Sequence, residues 1–139
     1  MIFSSLLSAI LFVAFCPAAD EVTAAVGFPV KAFPQGTRAY GQAEMCAYQG
    51  ASSASTMISI SVQPYDANED PIVDLRGSAK RLSGAEAERI DIGDGGYAYG
   101  SKTKSEAAAR KGSRVYHAEI VGAPDKKAAA IALLKRAVK

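Results

Sequence analysis

The sequence predicts an α+β domain, an antiparallel sheet of about four to five strands with helices packed on it, in the order α-β-β-α-β-β(-β)-α. Three observations predict it. Residues 90–121 read I-D-I-G-D-G-G-Y-A-Y-G, a polar link, then R-K-G-S-R-V-Y-H-A-E-I-V. Glycines there permit sharp turns and the tyrosines and valines favour extended backbone, giving turn, strand, turn, strand at the expected centre of the sheet. Residues 56–62 alternate, with Ile58, Ile60 and Val62 on one face and Met57, Ser59 and Ser61 on the other, the pattern of a sheet with one face on the core. Residues 72–82 and 128–138 instead repeat their apolar positions at helical spacing.

Taken in order, the first nineteen residues stand apart from the domain. They carry no charged side chain, and the apolar run 6–15 is followed by small residues before Asp20. That is the pattern of a secretory signal peptide cleaved after Ala18 or Ala19, leaving residues 20–139 as a single domain. An uncleaved membrane anchor is the rival, although Ser4, Ser5, Ser8 and Pro17 make residues 2–19 a poor span. A third alternative is a lipid on Cys16, against which Phe15 counts because a small residue is needed there. If Cys16 leaves with the leader, Cys46 is alone in an oxidising compartment, no intramolecular disulfide can form, and stability must come from packing.

Within the domain, residues 20–27 begin with acids and end at glycine, as a short helix does. Residues 28–36 hold Pro29 and Pro34 and read as an irregular link. Residues 44–49 and 56–62 form a hairpin across a small-residue turn, with Cys46 and Tyr48 on one side of the first strand. A polar link over 64–71 leads to an amphipathic helix whose stripe is Ile72, Leu75, Ala79 and Leu82, closed by Gly84. In the strand over 114–121, Tyr116, Ala118 and Ile120 share one face, while Val115, His117 and Glu119 share the other, so that His117 is expected at solvent or an edge. Pro124 and Asp125 open the last helix, with Ile131, Leu134 and Val138 buried, Leu133 widening the stripe, and Lys135, Arg136 and Lys139 near its end.

The composition, 49% hydrophobic and 22% charged over 139 residues, is that of one globular domain rather than a disordered or fibrous chain. Charge is divided along it. Residues 20–101 hold 6 basic and 11 acidic side chains and residues 102–139 hold 10 and 3. Lys102, Lys104, Arg110, Lys111, Arg114 and His117, with Lys126 and Lys127 beyond them, are therefore the candidate surface for anionic lipid, cell-wall polymer or an acidic partner. The plainer alternative is a set of solvated faces, which is preferred. Nucleic acid is not expected as a partner, since only Tyr116 lies among these basic residues.

No catalytic signature stands out. Asp91-Ile92-Gly93-Asp94-Gly95-Gly96 lacks the alternate ligands and closing glutamate of a calcium loop, so Gly93, Asp94, Gly95 and Gly96 read as a structural turn in which Asp94 bonds nearby backbone N–H groups. His117 is the only histidine, and zinc would need Cys46 and carboxylates beside it. A Cys46/His117 thiol dyad, oriented by Asn68 or an Asp, is the enzymatic alternative; an inert strand thiol and a surface histidine are preferred. There is no Gly-Lys-Ser/Thr phosphate loop, Gly-x-Ser-x-Gly elbow or Cys-x-x-Cys pair. No catalytic, metal or cofactor residue is expected.

Five features together are similar to those of small exported bacterial domains, many of them lipoproteins: Cys46-Ala47-Tyr48, the apolar strand 58–62, Gly93-Asp94-Gly95-Gly96-Tyr97, Lys111-Gly112-Ser113-Arg114-Val115 and the alanine-rich helix 128–138. The resemblance implies a two- or three-layer α+β fold in the cell envelope, resembling sensor-like or ligand-binding domains, and it implies no reaction. The expectation is thus an exported, periplasmic or secreted, non-enzymatic binding or accessory module with an envelope protein or ligand as partner. A membrane enters only if the N-terminal segment is retained or lipidated. The alternatives are a small thiol or hydrolytic enzyme and a binder of anionic surfaces.

Overall fold

The computed structural model describes residues 16–138, so the apolar run 6–15 and Lys139 lie outside the described residues. The chain enters at Cys16, which is bonded to Cys46, with the two Cα atoms 5.5 Å apart. In a chain that keeps Cys16, then, Cys46 has a disulfide partner; the expectation of a lone Cys46 applied to a chain cleaved after Ala18 or Ala19. Pro17 is fixed as well, its carbonyl oxygen accepting a hydrogen bond from the Tyr48 hydroxyl. Helix α1 (Ala19–Val26) follows, with Asp20 and Glu21 in its first turn and left-handed Gly27 after its last.

Residues 28–43 are more ordered than their prolines suggest. They hold β1 (Val30–Ala32), a 3-10 turn (Pro34–Gly36) and β2 (Arg38–Tyr40). Both short strands pair with β3 (Ala43–Gly50), β1 with its end and β2 with its beginning. They act as one edge strand broken by a turn. The expected hairpin is present: β3 and β4 (Met57–Pro64) pair with Cys46 opposite Ile60 and Tyr48 opposite Ile58.

Asp70 then caps α2 (Pro71–Ser83), its carboxylate accepting from the Ile72 N–H at 2.9 Å, and Pro71 takes the first helical position, where no N–H is needed. Gly84 closes the helix in the left-handed region, as expected. The predicted stripe holds at Leu75 and Ala79, both buried, but Leu82 is 46% exposed.

The second half is β5 (Glu88–Ile90), β6 (Gly96–Gly100), β7 (Lys104–Lys111), β8 (Arg114–Val121) and α3 (Lys127–Ala137). Strand β7 replaces most of the expected polar link. The last helix starts later than predicted, because Pro124 and Asp125 remain in the turn, where the Asp125 N–H bonds the Ser101 carbonyl. Leu133 and Leu134 are its deepest large side chains, while Ile131 and Val138 are only partly buried.

All pairings are antiparallel and form one 8-stranded sheet, ordered β1-β3-β4-β8-β7-β6-β5 with β2 also on β3. The class is α+β with an antiparallel sheet, with more strands than the expected four to five. Helices α1 and α3 cover one face, burying Cys46, Tyr48, Ile58, Ile60, Val62, Ala118 and Ile120. Helix α2 covers the other face only over β6 and β7, where Leu75 and Ala79 meet Tyr99 and Ala108. The Pro34–Gly36 turn lies over Ala47 on that same face. Between these two covers runs a polar trough, floored by Ser59, Ser61 and Gln63 of β4 and His117 and Glu119 of β8, all partly exposed.

Candidate functional site

Strand register assembles the site. Tyr99 of β6 lies opposite Glu106 of β7, Glu106 lies opposite Glu119 of β8, and Glu119 lies opposite Ser59 of β4. One rung of the trough face therefore carries a tyrosine, two carboxylates and a serine. His117 lies one rung along, opposite Ala108 and Ser61. Because β7 presents its even-numbered residues to this face, Lys104 flanks the carboxylate rung on the other side.

Glu106 is only 5% exposed and is the centre of the network. Its Oε1 lies 2.7 Å from His117 Nε2, its Oε2 accepts from the Tyr99 hydroxyl at 2.5 Å, and Lys104 Nζ lies 3.6 Å from the same oxygen. Lys104 Nζ also lies 3.3 Å from Glu119 Oε2. Two carboxylates directly opposite across a strand pair repel, and the ammonium between them offsets that repulsion. Burial alone would raise the Glu106 carboxyl. The hydrogen bonds from His117 and Tyr99 and the charges of His117 and Lys104 outweigh burial and hold it at about 2. Tyr99 is displaced upward, first by burial and then by its bond to the Glu106 charge. No buried side-chain polar atom among the described residues is left without a partner.

The network opens into a cleft of about 420 Å³ between the sheet and the start of α2, lined by Gln63, Asn68, Glu69, Asp74, Glu106 and His117 together with Pro71. Three of these are carboxylates, and none is lysine or arginine. The cleft thus favours a cationic or hydrogen-bond-donating guest over an anion.

Several expectations change here. His117 sits on an interior strand rather than at an edge, partly exposed where it lines the cleft and bonded to Glu106. Cys46 and His117 do not meet: Cys46 faces α1 and α3, His117 faces the trough, and β4 lies between their strands. The disulfide also removes the thiol that the dyad or a zinc site with Cys46 would use.

The six candidate basic-surface residues are not one patch either. Lys102 is exposed in the β6–β7 turn, while Lys104 and His117 belong to the carboxylate network. At the far end of the hairpin, Arg110 lies over the Tyr65 ring at 3.7 Å and bonds the Gly112 carbonyl, and Lys111 and Arg114 are exposed. Seven residues of strand separate Lys104 from Lys111, roughly 23 Å.

Gly93, Asp94 and Gly95 do form the tight turn before β6, with Gly93 and Gly95 at φ 57° and 115°. Asp94 accepts from a backbone N–H as expected, but from Gly112 of the neighbouring turn, at 2.7 Å. Gly96 is needed for close approach, since a Cβ there would strike the Ala108 carbonyl.

Sequence reasoning passed over Tyr99, Glu106, Glu119 and the role of Lys104. The available signal was parity: His117 and Glu119 already share a face, and reading 104–111 as a strand adds Lys104 and Glu106 beside them.

No protein-family model matches the chain, and neither the curated proteins nor the solved structures contain a match to it. Among the described residues no helix is long and apolar enough to cross a membrane.

Proposed function

We propose that this chain is an exported, non-enzymatic binding domain, stapled by its disulfide, that takes its ligand in the polar trough beside α2. The observation that carries the binding role is Glu106. A carboxylate sunk almost out of water is expensive to keep, and apolar residues of the same volume usually stabilise a core as well or better. A buried charge held in place by three partners at the floor of an open cleft is the arrangement of a functional site. The hydrogen bond of His117 runs to Glu106 rather than to a hydroxyl nucleophile, which favours recognition over acyl transfer.

The Cys16–Cys46 bond supports export, because such bonds persist in oxidising compartments. It also bears on the leader. Cleavage after Ala18 or Ala19 would remove a half-cystine and the carbonyl that holds Tyr48. In this reading cleavage falls before Cys16, and Cys16 carries no lipid, because its sulfur cannot hold a thioether and a disulfide together.

Native and denaturing mass spectrometry of the protein recovered from an envelope fraction tests this. The expected mature chain begins at or before Cys16, gains two hydrogens on reduction, and carries a non-covalent guest that is lost from the Glu106→Ala variant. A chain beginning at Ala19 or Asp20, or a guest retained by that variant, would count against it.

A further inference from the structure

We propose that Glu106, His117 and Glu119 form a site for one divalent transition-metal ion of the Zn²⁺ class, and that the Lys104 ammonium occupies the cation's place in the metal-free protein. This rests on the reading of the trough as the binding site and names the chemistry of what it binds.

One donor atom from each of the three residues lies within 4.8 Å of the other two. An imidazole nitrogen with two carboxylate oxygens is a donor set that suits Zn²⁺ and its first-row neighbours, whereas Ca²⁺ and Mg²⁺ prefer oxygen alone. Glu106 and His117 line the open cleft and the partly exposed Glu119 lies beside them in the trough, so three protein ligands leave a fourth position for water or a guest, as in zinc sites that are not purely structural. The supporting shell is present: the Tyr99 hydroxyl bonds Glu106 Oε2, the oxygen that Lys104 also faces, and so fixes the carboxylate plane.

The strand register itself asks for a cation. Glu106 and Glu119 are direct cross-strand neighbours, and a positive charge between them offsets their repulsion. Lys104 supplies it at 3.6 and 3.3 Å. Its side chain is 29% exposed and flexible, so it can swing outward as a metal enters. On metal entry His117 would coordinate through the lone pair of Nε2, the nitrogen that now faces Glu106 Oε1. The Glu69 and Asp74 carboxylates at the cleft rim raise the local concentration of cations.

The test is calorimetric titration of the oxidised, chelator-treated protein with Zn²⁺, repeated with Co²⁺ to read ligand-field absorption. The expected result is one ion per chain with micromolar or tighter affinity. Lys104→Met should bind more tightly, since its competitor is gone. Tyr99→Phe should bind roughly 10–100-fold more weakly, and His117→Gln should lose the cobalt spectrum. Lys104→Met guards against the ambiguity of a variant that misfolds, because it predicts a gain in a folded protein. Absence of stoichiometric binding, unchanged binding by His117→Gln, or weaker binding by Lys104→Met would overturn the metal site. Native mass spectra of the same samples separate the two proposals. A metal-free chain with a different guest that needs Glu106 sinks the metal alone, and a chain with neither sinks the binding domain with it.

Discussion

At the scale of single residues, Glu106 and Tyr48 show how burial is tolerated on the two faces of the sheet. Glu106 is charged and buried because Tyr99, His117 and Lys104 all converge on it. Replacing it by alanine takes away the carboxylate that Tyr99 and His117 bond, while Lys104 keeps Glu119, and should destabilise the fold by about 2–3 kcal/mol, read as a lower denaturant midpoint. A loss under half a kilocalorie per mole would mean that water replaces the carboxylate at little cost, and that the network is looser than its distances imply. Tyr48 is displaced upward from 10.0, first by burial and then by the Glu21 charge. The sign follows directly. The folded state holds this proton more tightly than the unfolded state, so its contribution is complete below pH 10 and declines as pH rises beyond that value toward the higher folded one. Tyrosinate absorbance in an alkaline titration should therefore show no contribution from Tyr48 near pH 10. Tyr48→Phe should flatten the alkaline loss of stability, and an unchanged slope would remove Tyr48 as its cause.

Elements differ in how openly the sequence announces them. The strand over 57–64 and the helix over 71–83 were legible because each carries its own period, two or 3.6, and the helix has a clear end signal in Gly84; the Asp70 cap was not read from the sequence. Strand β7 was not. Its run K-S-E-A-A-A-R-K has no β-branched or aromatic residue, and alanine by itself favours helix. Tertiary context decides the matter: β7 lies between β6 and β8 with helices on both faces, so only small side chains fit. Ala107 and Ala109 sit under α3 and Ala108 sits under α2, all fully buried. Since Glu106 belongs to this strand, missing the strand meant missing the centre of the site. The same placement makes a prediction. Ala108→Leu would push α2 off the sheet and should cost about 1–3 kcal/mol, with faster hydrogen exchange in residues 71–83 than in α3. Equal acceleration in both helices would show that α2 does not respond as a separate layer. Strands β1 and β2 were hidden for a different reason: each has only 3 residues, too few for alternation to show, and their order comes from pairing with β3.

For the molecule as a whole, the division of charge along the sequence is undone by the fold. The basic C-terminal third supplies Lys127 to Glu88 and Arg136 to Glu21, and Lys104 stays within its own segment to serve Glu106 and Glu119. The exposed pairs Lys127–Glu88 and Arg136–Glu21 contribute little each, so the disulfide is the stronger tie between the N-terminal segment and the sheet. It joins residues 30 apart in sequence and lies on the face opposite the trough. Closing a loop of that length restricts the unfolded chain by about 3–4 kcal/mol. The double variant Cys16→Ser with Cys46→Ser should therefore melt roughly 10–15 °C lower, and reduction of the native protein should approach the same value. Because β4 and the sheet backbone separate the bond from Glu106 and His117, the variant should still bind the guest of the trough with unchanged affinity well below its melting temperature. Loss of binding in a variant that remains folded would couple the two faces and make the disulfide part of the site; retained binding with lowered melting assigns it to stability alone.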